Sequence, residues 1–128
     1  MKKLDAYKQA KADYEFAQET VNKLSEVLDF YKTVTVNSNI TINSSSSDKQ
    51  FVYAISILNN QISACKELEI DSTEYEESRL TVLQIRTTSK ELKAWQEYAG
   101  DLAFYVRCVR DLLDKDELFE LLEVPVKP

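Results

Sequence analysis

LDAYKQAKADYEFAQETVNKLSEVLDFYK, residues 4–32, decides the fold class. Its apolar and small residues recur on a heptad: Tyr7, Tyr14, Val21 and Leu28 at one position, with Ala10, Ala17, Leu24 and Tyr31 three residues further on. Steps of three and four sustained over three heptads place side chains on one stripe of an α-helix, because about 3.6 residues make a turn. The alanines let a neighbouring helix approach closely, and the tyrosines fill the space beside them. Phe16, Val27 and Phe30 fall off this stripe and predict a second apolar face, as on a helix inside a bundle. If the seam meets a second copy, Tyr14, Val21, Leu24 and Leu28 are the expected self-association residues.

Outward from this stretch, the chain is short of turn-forming residues. Gly100 is the single glycine in 128 residues, and both prolines, Pro125 and Pro128, lie in the last four positions. That composition argues against a many-stranded β fold, whose tight turns draw on both residues. Residues 33–42 nevertheless change period from 3.6 to 2, with Val34, Val36, Ile40 and Ile42 alternating with polar residues around Asn37-Ser38-Asn39. A small hairpin or extended arm is expected there. Alone it would be marginal, so it needs the support of the bundle or of another chain, to whose sheet edge it could add a strand. Asn43 to Ser47 is a polar loop.

Ser47-Asp48-Lys49-Gln50 has capping-box spacing and opens a helix over 48–69, with Phe51, Ile55, Leu58, Ile62 and Cys65 on its core stripe. Asp71-Ser72-Thr73-Glu74 opens the next, over 72–99, striped by Tyr75, Val82, Ile85, Leu92 and Ala99. Gly100 reads as a C-terminal cap or kink, and 101–123 as the last helical stretch. Within it, Asp114 to Glu117 could cap a short separate helix stopped by Val124-Pro125. The expected fold is all-α: one domain over 1–128, an antiparallel four-helix bundle with a possible short fifth helix. A β-like arm and a Ser-rich loop over 33–47 join helices one and two.

Function is narrowed mainly by exclusion. The chain has no histidine, which removes His-based triads, His-ligated zinc and His proton relays. One glycine supplies neither a P-loop nor a dinucleotide fingerprint. Cys65 and Cys108 are too few for a disulfide framework, and both are expected as free core thiols. Trp95, with Tyr98, Phe104 and Tyr105 nearby, reads as core by its helical spacing, yet seven tyrosines exceed what such a bundle needs and suit an interface.

The formal charge of −6 argues against nonspecific nucleic-acid binding. Acidity is concentrated in two segments: residues 67–77 carry six carboxylates and no base, and residues 111–123 carry six against Lys115. The first surrounds Tyr75, so Glu69, Glu74, Tyr75, Glu76 and Glu77 are the expected partner-binding residues, acids steering a basic partner and tyrosine anchoring it. No apolar run approaches a membrane span and no signal-peptide core follows Lys2-Lys3, so cytoplasmic residence is expected.

Glu74-x-x-Glu77 and Asp111-x-x-Asp114 each place two carboxylates on one helical face, a pattern suited to Mg²⁺. In being small, helical and in owning such pairs, the chain resembles the all-α nucleoside triphosphate pyrophosphatases of the MazG and dimeric dUTPase group. That family carries its pairs closer together, as Glu-x-x-Glu followed by Glu-x-x-Asp. The resemblance implies Mg²⁺-dependent triphosphate hydrolysis as the alternative to the leading expectation, a non-enzymatic interaction module that needs no cofactor and that self-assembles or docks on a protein. A third reading is an acidic decoy that inhibits a nucleic-acid-binding protein.

Overall fold

The heptad stretch is helical from Lys3–Phe30 (α1) in the computed structural model, which describes residues 2–37 and 39–125. A hairpin of Val34–Asn37 (β1) and Ile40–Ile42 (β2) follows, then Asp48–Glu67 (α2), Thr73–Asp111 (α3) and Lys115–Leu121 (α4). Among the described residues the protein is thus broadly all-α, with four helices and one two-stranded antiparallel sheet. Packing divides the chain into two compact units. One takes residues up to 22 and from 94 onward; the other takes residues 23–93.

The unit of residues 23–93 is built on α2. Its stripe of Phe51, Ala54, Leu58, Ile62 and Cys65 is buried, close to the spacing expected. Phe51, Ala54 and Leu58 pack with Leu28, Val82 and Ile85, and with Val36 and Ile42 of the hairpin. The hairpin is therefore no free arm. Val34 pairs with Ile42 and Thr35 with Thr41, and a bulge between Thr35 and Asn37 shifts the register. Alternation then turns Val36 and Ile42 into the core, which supplies the support two strands lack alone. Asp48 meets Arg86, and Asn59 meets Arg79, the pairing order of antiparallel helices.

The unit of the chain's two ends buries Leu4 and Tyr7 of α1 against Val109 and Leu113, with Val106, Leu118 and Leu121 packed around them. Asp114 caps α4 by the reciprocal box with Glu117, as its spacing predicts. Lys3 Nζ donates to the Leu112 carbonyl at 3.0 Å and pairs with Glu117 at 3.1 Å.

Two expectations are corrected by backbone chemistry. Helices over 72–99 and from 101 onward are one: α3 runs through Gly100, whose φ is not positive, so it is no left-handed cap. A helix-interior glycine costs only about 0.5–1 kcal/mol, and the apolar period continues through Ala99, Leu102, Val106 and Val109. A Cβ at Gly100 would meet nothing within 4 Å. Gly100→Ala is therefore expected to raise the unfolding free energy by about 0.5–1 kcal/mol in urea titration. A loss of stability would mean that the helix breaks there.

The left-handed caps instead fall on glutamates. Glu69 has φ 56° and Glu123 φ 53°. Each sits where a Schellman motif ends a helix: the Glu69 and Ile70 amides donate to Lys66 and Cys65 carbonyls, and those of Glu123 and Val124 to Glu120 and Phe119. Glycine is usual at such positions because a Cβ makes αL costly by roughly 1–2 kcal/mol. Glu69→Gly should accordingly stabilise the chain by about 1 kcal/mol, read as a raised thermal midpoint. An unchanged or lowered midpoint would show that the glutamate side chain offsets its backbone cost.

Candidate functional site

Phenylalanine is among the residues most often buried in folded proteins. Here only Phe51 of the five is buried; Phe16, Phe30, Phe104 and Phe119 are all exposed, Phe30 at 85%. Tyr53, Tyr75, Tyr98 and Tyr105 are exposed as well. Phe16, Val27 and Phe30, foreseen as a second apolar face of α1, are all exposed where a buried bundle face was expected. Trp95 is half-buried, with Tyr98, Phe104 and Tyr105 exposed, so the expected aromatic core at this point of α3 is corrected to a surface. Cys108 is likewise exposed, whereas Cys65 is buried as expected.

The most organised of these exposed rings lie together in the unit of the two ends. Phe16 of α1 meets Trp95 edge-on, with ring centroids 6.1 Å apart and planes at 65°. Trp95 meets Tyr98 at 5.6 Å and 83°. Both are favourable T-shaped arrangements. Ala94, Trp95 and Tyr98 line an apolar depression of about 300 Å³. Asp13 and Glu19 stand one turn either side of Phe16, and Asp101 one turn beyond Tyr98. Asp13 accepts a hydrogen bond from Gln9 Nε2 at 2.9 Å. An apolar depression beside edge-packed aromatics, with carboxylates a helical turn from Phe16 and Tyr98, suits an apolar side chain carried on a basic segment.

The residues singled out from sequence lie elsewhere. Glu69, Glu74, Tyr75 and Glu77 are exposed around the α2–α3 turn, and Glu76 is half-buried. Leu68 and Ile70 are exposed beside them. Asp71 in this turn accepts from the Thr73 hydroxyl at 2.6 Å and the Thr73 amide at 3.1 Å. Those two bonds, the hydroxyl's first, hold its carboxyl below the ordinary 3.8. What they add to stability is present above that value and is lost as pH falls through the lower folded one. On the heptad seam, Val21 and Leu28 are buried and Tyr14 and Leu24 half-buried. In the single chain these positions serve its own packing, so self-association through them requires α1 to give up those contacts.

Among the described residues no group of three or more Cys, Asp or Glu side chains is placed to hold a metal ion. Glu74 and Glu77 open α3 while Asp111 ends it, and the two pairs fall in different units. No described helix is long and apolar enough to cross a membrane. No protein-family model, curated protein or solved structure matches the chain.

Proposed function

We propose that this chain is a non-enzymatic protein-interaction module whose unit of the two ends docks a basic, apolar-anchored segment of another protein on Phe16, Trp95 and Tyr98. The observation that carries the reading is a chain of edge-packed, largely exposed rings beside a depression lined by Trp95 and Tyr98, with Asp13, Glu19 and Asp101 one helical turn from Phe16 or Tyr98. Aromatic anchors in pockets dominate binding energies, while acids at the rim steer the encounter and set its salt dependence. The acidic turn from Glu69 to Glu77 extends the same preference for basic partners, nucleic-acid-binding proteins included. An antiparallel four-helix bundle in solution and cytoplasmic residence belong to this proposal.

A hetero-partner is favoured over self-assembly because α1 spends its heptad seam on internal packing. Light scattering tests that choice. The 14.8 kDa monomer is expected at low and high salt alike. A salt-insensitive oligomer would transfer the reading to self-association.

A further inference from the structure

We propose that the unit of residues 23–93 carries a second site, a cleft that binds an oxyanion of the phosphate class where the N-terminus of α2 meets the middle of α3. The cleft encloses about 390 Å³ between Ser46, Ser47, Asp48 and Phe51 on one side and Arg86, Ser89, Lys90 and Lys93 on the other. Arg86, Lys90 and Lys93 stand at i, i+4 and i+7, so one face of α3 presents three cations. Against them the cleft holds a single carboxylate.

Asp48 is that carboxylate, and it is already committed. Arg86 Nε donates to it at 2.8 Å and Nη2 at 3.3 Å, while Lys90 Nζ stands at 3.6 Å. The Arg86 hydrogen bond is the largest of the causes that hold the Asp48 carboxyl below its ordinary 3.8. Among the described residues no ion-pair partner falls to Lys93, so the cleft keeps an excess of positive charge in a chain of net −6.

Three serines line the same cleft. Ser89 Oγ is shut off from solvent and has no hydrogen-bond partner, a costly state for a buried polar atom. A rotation about its Cα–Cβ bond would offer its O–H to a ligand. Ser46 Oγ accepts from the Asn43 amide and Ser47 Oγ from the Gln50 amide, which leaves each hydroxyl hydrogen to be donated. The amides at the start of α2 add donors of the kind that hold anions at helix N-termini. Three cations line the cleft, and with Ser89 turned outward three hydroxyls would join them, a donor set that matches the acceptor oxygens of phosphate.

The test is an amide-shift titration of the full ¹⁵N-labelled chain with inorganic phosphate, against sodium chloride at matched ionic strength. Saturable shifts confined to residues 46–49 and 86–93 are expected. Lys93→Ala should weaken binding about tenfold, the effect of losing one charge-assisted hydrogen bond. Ser89→Ala should weaken it by about fivefold without lowering the unfolding midpoint, since the hydroxyl has no partner to lose in the free chain. Equal shifts with chloride, or phosphate binding unchanged in both variants, would overturn the site. Neither outcome bears on the aromatic surface of the other unit.

Discussion

Leu58→Ala is expected to lower the unfolding free energy by about 2–5 kcal/mol, the range found when a buried leucine is cut back and its cavity only partly closes. Leu58 is 1% exposed in the cluster that joins α2, α3 and the hairpin. Removing its three outer carbons opens a cavity in the cluster that also holds Phe51, Val82, Ile85 and Ile42. Small domains have only about 5–15 kcal/mol of stability, so the variant should unfold at a much lower urea concentration. Phe30→Ala supplies the contrast. At 85% exposure its truncation should change stability by no more than about 0.5 kcal/mol. Comparable losses in the two variants would mean that the cluster around Leu58 is not the core of its unit.

The second large effect concerns binding. Phe16→Ala and Tyr98→Ala should each weaken docking of a basic segment about tenfold or more, because aromatic anchors beside a pocket typically cost 2 kcal/mol or more when truncated. Their effect on stability should be small, about 1 kcal/mol or less, since each loses one edge-on ring contact and little burial. Isothermal calorimetry for binding and urea titration for stability separate the two readouts. A variant that loses stability and binding in proportion would identify these rings as structural.

The helices were largely legible because their signals are local and repeated. The heptad from Tyr7 to Leu28 predicted α1 to within two residues at its C-terminal end, and the reciprocal side chains of Ser47 with Gln50 and Asp114 with Glu117 sit where their spacing placed them. The hairpin followed from the change of period at Val34. What failed was inference from single residues. Gly100 marks a turn only if its neighbours cannot continue the helix, and here Ala99, Leu102 and Val106 carry the apolar period past it. In a chain with no other glycine, the left-handed caps fell to Glu69 and Glu123, which no propensity marks.

The site was less legible than the fold for a physical reason. Helical spacing places Phe16, Trp95 and Tyr98 on faces but does not say which face a neighbour covers. Trp95 at core-like spacing therefore reads as interior, although two of the rings it touches are exposed. The useful signal was Phe16 itself, a large ring off the heptad stripe with carboxylates a turn away on both sides. The acidic turn around Tyr75 was visible because charge runs are contiguous in sequence. An aromatic cluster assembled from α1 and α3 is not.

Trp95 is the only tryptophan and lies inside the proposed docking surface, so its emission reports on that surface alone. The most direct test titrates it with two tryptophan-free helical peptides that share a leucine face and carry either lysines or glutamates on the other. A saturable change in Trp95 emission is expected with the lysine peptide, weakened by added salt, and none with the glutamate peptide. Equal responses to both peptides, or no response to either, would contradict it.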